Sequence, residues 1–118
     1  MPAYAVAHLH TPSDHEDVLR YIELIQDTME PYGGRFLVHG SPVEVVEGEW
    51  PGALVMLSFP DTEAAHDWYA SPAYREILPL RTGHITGDVV LVEGVGPGYD
   101  ARRTAAAMRT GHGRPAIS

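Results

Sequence analysis

Ala53-Leu54-Val55-Met56-Leu57-Ser58-Phe59-Pro60-Asp61 is the stretch that decides the fold. Its first seven residues are apolar on both faces, the pattern of a strand placed centrally in its sheet. Pro60 then breaks the strand. Asp61 is a good helix N-cap, because its carboxylate can accept from the free N–H groups of a first turn. Ala65, Trp68 and Tyr69 share one face of the helix that follows. Ser71-Pro72 restarts a helical turn, with serine as cap and proline at the first position. Ala73–Leu78 continues as a short helix, and Pro79-Leu80-Arg81-Thr82-Gly83 reads as a connection.

Towards the N-terminus, Tyr4–His10 alternates as a strand, with Ala5, Ala7 and Leu9 on one face and Tyr4, Val6, His8 and His10 on the other. Ser13, followed three residues later by Glu16, forms the signature of a helix start. Val18, Ile22, Ile25 and Met29 recur at helical spacing until Pro31-Tyr32-Gly33-Gly34 ends the run, while Tyr21 and Leu24 widen the stripe. Phe36-Leu37-Val38 is a second strand. Val43–Glu47 either prolongs it past Gly40-Ser41-Pro42 or pairs as a small hairpin, and a bulged or bent strand is the favoured reading. Trp50-Pro51-Gly52 turns the chain into the central strand, and Asp88–Glu93 is the last one. The order βαββαβ defines an α+β, ferredoxin-like domain with both helices on one face of an antiparallel sheet. The other face is left bare and apolar, so the chain is expected to form a homodimer through it.

Composition narrows the chemistry. The 118 residues suit one domain, residues 1–94, followed by a basic C-terminal tail, residues 95–118. No apolar run can span a bilayer and no signal peptide is evident, so no membrane partner and a cytoplasmic location are expected. There is no cysteine, which excludes thiol catalysis, disulfides and thiolate metal sites. All 8 basic residues are arginine, which excludes a lysine Schiff base and a phosphate-binding loop lysine. Residues 1–94 carry a net charge of −11 and the tail +3. An acidic body repels phosphates, so nucleic acid is not an expected partner.

The segments Gly33-Gly34-Arg35-Phe36-Leu37-Val38-His39-Gly40, Val46-Glu47-Gly48-Glu49-Trp50-Pro51, Phe59-Pro60-Asp61 and Trp68-Tyr69-Ala70-Ser71-Pro72-Ala73-Tyr74-Arg75 occur in the order of a known family. Over roughly residues 3–94 the chain resembles the small bacterial proteins grouped as domain of unknown function 1330, within the dimeric α/β barrel superfamily. The resemblance implies a ferredoxin-like protomer whose sheet meets that of a second copy. It implies no reaction. Relatives by fold include cofactor-independent monooxygenases, polyketide cyclases and haem-degrading oxygenases, an analogy of fold alone.

Candidate chemistry comes from two groups of residues. Arg35, His39 and Arg81 are the candidate catalytic residues, with His39 as general base and an arginine on the developing oxyanion. Trp50, Trp68, Tyr69 and Tyr74 are the candidate substrate-binding residues, for a small aromatic or polyketide-like molecule. The alternative is that these aromatics are core and that Arg35 pairs with Glu47 or Glu49. As an enzyme, the protein would be a cofactor-independent oxygenase, cyclase or isomerase; otherwise it would be a small-molecule-binding or stress-associated homodimer.

The second group is histidine, present 7 times. His8 and His10 share a strand face and could ligate a metal with His39 or Glu47, but two ligands at strand spacing also describe a polar strand end. No stoichiometric zinc or iron is expected. Nothing marks His66 or His84 as a haem ligand. No nucleotide cofactor is expected either, because Gly94-Val95-Gly96-Pro97-Gly98 contains proline and reads as a linker. In the tail, Ala101–Arg109 has good helix propensity but is too short to stand alone. Arg102, Arg103 and Arg109 are therefore expected to dock it on the acidic body, in cis or across the dimer, the alternative being a disordered terminus.

Overall fold

The computed structural model describes residues 1–111, and the end of the tail, residues 112–118, lies outside them. Four strands, β1 (Ala3–Leu9), β2 (Arg35–His39), β3 (Ala53–Phe59) and β4 (Gly87–Glu93), form one sheet in the order β2-β3-β1-β4. Every neighbouring pair is antiparallel. Helices α1 (Glu16–Met29), α2 (Thr62–Ala70) and α3 (Pro72–Thr82) belong to the body, and α4 (Ala101–Arg109) follows β4. The fold is α+β and ferredoxin-like, with β3 and β1 at the centre of the sheet.

Register separates the two faces. Ala5 stands opposite both Leu57 and Leu91, and Ala3 opposite Phe59, so these side chains turn towards the helices. Phe59 and Trp68 are almost fully buried, with ring centroids 5.2 Å apart, and Tyr74 packs 4.2 Å from Trp68 on its other side. Full burial of each such side chain contributes about 1.5–3 kcal/mol. The indole N–H of Trp68 donates to Thr28 Oγ1 at 3.0 Å, and that hydroxyl donates to the Ile25 carbonyl at 2.6 Å. The core thus buries the polar end of its largest side chain with a partner, avoiding the cost of an unmet donor.

The opposite face carries Tyr4, Val6 and His8 of β1 beside Val92, Val90 and Asp88 of β4 and Ser58, Met56 and Leu54 of β3. Among the described residues no helix covers it, and Val90 and Val92 are 54% and 49% exposed. It is the bare apolar face expected from the sequence.

Four local expectations are corrected. α1 is capped by His15 and not by Ser13: His15 Nδ1 accepts from the Asp17 N–H at 3.0 Å, while Ser13 Oγ accepts from the His15 N–H at 3.1 Å. Val43–Glu47 neither prolongs β2 nor pairs, and lies exposed in the connection to β3. Gly40, with φ 73°, turns the chain away from the strand, and the connection returns through Gly52, whose φ of 92° and approach to the Leu9 carbonyl leave no room for a Cβ. α3 runs through Pro79 to Thr82, because Ile77 and Arg81 on its last turns find buried places that offset the missing proline N–H. α4 forms where its propensity predicts, but none of its residues is buried, and Arg102 pairs with Asp100 at 3.0 Å and not with the body.

Among the described residues, no helix is long and apolar enough to cross a membrane.

Candidate functional site

The helix-facing side of β1 carries only alanine at positions 5 and 7. Such short side chains cannot fill the space beneath α1 and α3. A cavity of about 340 Å³ remains there, within the size range of small-molecule sites. Ala5, Ala7 and Leu9 form part of its wall on the sheet, with Phe36, Val55 and Leu57. Val18, Tyr21, Ile22 and Ile25 of α1 close it from the other side, together with Trp68 and Tyr74. The wall is overwhelmingly apolar, so the few polar groups in it set what it can hold.

Three of these groups sit together. The hydroxyls of Tyr21 and Tyr74 are hydrogen-bonded at 2.8 Å, and the Arg81 guanidinium carbon is 5.6 Å from the centre of the Tyr21 ring. Arg81 is only 7% exposed. No carboxylate among the described residues pairs with it. Burial pushes the Tyr21 hydroxyl far above its ordinary pKa, reinforced by the neighbouring Tyr74. Desolvation by itself would lower the Arg81 pKa, but the two facing tyrosines outweigh it and the net shift is upward. The cluster is therefore a guanidinium beside a Tyr21 hydroxyl held in its neutral form, to which the Tyr74 hydroxyl is hydrogen-bonded. When one phenol donates to the other, one O–H remains free to donate to a ligand. Buried charges are ordinarily paired, and among the described residues no carboxylate supplies that pairing for Arg81.

His39 reaches the same cavity because of a defect in β2. Arg35 stands opposite Ser58 and Phe36 opposite Leu57, but Val38 then faces Met56 and His39 faces Val55, leaving Leu37 as the extra residue of a bulge. In a regular strand Phe36 and His39 would point to opposite faces. The bulge returns His39 to the helix side, where its ring stacks on Phe36 at 4.3 Å. His39 is exposed and lines the cavity at its rim.

His39, Arg81, Trp68 and Tyr74 of the sequence-derived set therefore line one cavity. Arg35, Trp50 and Tyr69 do not. Arg35 is exposed and stands opposite Ser58 on the bare face, without an ion pair to Glu47 or Glu49 among the described residues. Trp50 is 37% exposed and stacks on His8 at 3.9 Å. Tyr69 sits behind Tyr74, its ring covered by the Arg75 guanidinium at 4.9 Å. Tyr21 was legible only as a member of the helical stripe. Its hydroxyl could be placed only once α1 and α3 were known to face each other.

Among the described residues, two histidine clusters lie outside the cavity. His8 and His10 of the β1 end are joined by Asp88, with His10 Nε2 2.9 Å from the carboxylate. His84 Nε2 is likewise 2.9 Å from Asp17, whose carboxyl it holds below the ordinary value, and the His84 ring stacks on His15 at 3.7 Å. His39 and Glu47, which the sequence offered as possible third ligands beside His8 and His10, belong to neither cluster. Among the described residues, His66 joins neither cluster and does not line the cavity.

Fold and cavity define the class: a ferredoxin-like α+β domain with an apolar chamber between helices and sheet. The chain belongs to the family described as Domain of unknown function (DUF1330), which it matches over residues 2–95. It is similar to the RPA0582 protein of unknown function from Rhodopseudomonas palustris, at 16% identity and a TM-score of 0.63, over 81% of this chain and 84% of that one. A dimeric ferredoxin-like protein of unknown function from Jannaschia sp. CCS1 superposes with a TM-score of 0.58 at 16% identity, over 80% of this chain and 100% of that one. SnoaB, a cofactor-independent oxygenase from Streptomyces nogalater, does so with a TM-score of 0.51 at 10% identity, over 84% of this chain and 96% of that one. No curated protein matches the sequence.

Proposed function

We propose that the cavity binds a small, planar, largely apolar molecule with an anionic or phenolic end, and that the protein acts on it as a cofactor-independent oxygenase, cyclase or isomerase. The observation that carries this reading is Arg81, buried in an apolar wall and, among the described residues, without a carboxylate partner. The ligand's anionic end lies against the guanidinium and the free phenolic O–H, and its rings fill the space left by Ala5 and Ala7. His39 takes a proton from the ligand, and Arg81 stabilises the enolate or phenolate formed. All three reaction types share this step. The resemblance in fold to the cofactor-independent oxygenase SnoaB supports the reading by analogy only.

Binding and catalysis separate in one experiment. Titration with 2-naphthoate, followed by Trp68 fluorescence, is expected to saturate, and Arg81→Met to weaken it at least about tenfold, the loss of one charge-assisted contact. A neutral probe of the same shape, 2-methylnaphthalene, bound equally by both proteins and better than naphthoate, would overturn the anion site. His39→Ala retains binding in this reading. If it also leaves proton exchange and turnover of a 1,3-diketone unchanged, the protein is a non-catalytic small-molecule binder.

The protein works as a homodimer joined through the bare sheet face. Exposed Val90 and Val92 beside Val6 and Met56 support this, as does the dimeric state of the Jannaschia protein.

A further inference from the structure

Away from the cavity, on the opposite side of the sheet, we infer that His8, His10 and Asp88 form a binding site for a divalent transition-metal ion, with zinc, nickel or cobalt as the class of ligand. His8 lies in β1 and His10 follows just past its end, and Asp88 of β4 is the register partner of His8. Each of the three residues offers one ligand atom such that these atoms all lie within 4.8 Å of one another. Two imidazoles and a carboxylate suit a borderline divalent ion, which water completes at the exposed edge.

The ring geometry favours this cluster over the other. A metal lies in the plane of each imidazole that binds it. His15 and His84 stack at 3.7 Å with planes only 19° apart, so no single point is in both planes near the rings, and the His15 Nδ1 lone pair already caps α1. The His8 and His10 rings are tilted by 54° at 4.4 Å, so their planes intersect close by. His8 is also held as metal-ligating histidines are held. Its Nε2–H donates to the Pro51 carbonyl at 2.6 Å, which leaves Nδ1 with the lone pair, and Trp50 stacks on its ring and fixes the plane. His10 Nε2 and Asp88 Oδ2, 2.9 Å apart, need to separate by only a few tenths of an ångström to admit an ion at about 2.0–2.2 Å from each.

The test is titration of the full-length protein with Co²⁺ and Zn²⁺ after chelator treatment, read by visible absorption and by calorimetry. One ion per chain is expected, with cobalt d–d bands of four- or five-coordinate intensity. Asp88→Asn, at a side chain 76% exposed in the protomer, is expected to abolish the bands and weaken zinc at least about tenfold. His10→Ala does the same, and His84→Ala leaves both unchanged. Absence of stoichiometric binding to the wild-type protein overturns the site, as does binding that survives Asp88→Asn and His10→Ala. Since none of these residues touches the cavity, failure here leaves the ligand reading intact.

Discussion

Tyr21 and Tyr74, 53 residues apart in the chain, meet through hydroxyls 2.8 Å apart, with the Arg81 guanidinium against them. Helix α1 supplies the first, α3 the other two, and their contact turns an apolar chamber into one with a charged end.

If Arg81 serves a ligand and not the fold, its removal should not destabilise the protein. Arg81→Met keeps much of the volume, and with it the apolar packing of the last turn of α3, and removes the cost of burying a charge, so stability is expected to hold. The urea midpoint is expected to stay or rise while naphthoate binding falls. A loss of more than about 1 kcal/mol would assign Arg81 to structure.

The tyrosine pair should behave as one unit. Tyr21→Phe and Tyr74→Phe each leave a buried hydroxyl without its partner and are expected to cost about 1–2 kcal/mol, whereas the double variant should cost less than their sum by about 1 kcal/mol. Chemical denaturation of the four proteins completes the cycle, and strict additivity would mean that the two hydroxyls do not interact.

Acid stability tests the Asp17–His84 contact. His84 lowers the folded-state pKa of Asp17 below 3.8, so the native state holds this proton less tightly than the unfolded chain does. The contribution is therefore complete above about pH 4 and disappears as the pH falls through the lowered folded value. Melting temperatures between pH 2 and 6 are expected to show a gap between the wild type and Asp17→Asn that closes towards the acid end. A gap that widens there would reverse the assignment.

Light scattering at micromolar concentration is expected to give about twice the protomer mass of 12.9 kDa, and Val90→Glu to shift it towards the protomer by placing a charge on the apolar face. A wild-type mass of 12.9 kDa would remove the dimer.

The βαββαβ succession of elements and the bare apolar face follow from the sequence itself, because alternation, the runs at 53–59 and 88–93, and the caps at Asp61 and Ser71 are local signals that the packing reinforces. Local signals failed where a tertiary contact outweighed them. Val43–Glu47 has strand-like residues but no neighbouring strand to pair with, and α3 continues beyond Pro79 because its last turn finds buried places. His39 and Arg81 were legible as polar residues in apolar surroundings. That they share a chamber depended on the Leu37 bulge and on the extra turn of α3, two adjustments decided by register and packing across the sheet and helices. The grouping of Asp88 with His8 and His10 likewise needed the β1–β4 register, since 78 residues separate His10 from Asp88 and no local spacing encodes their approach.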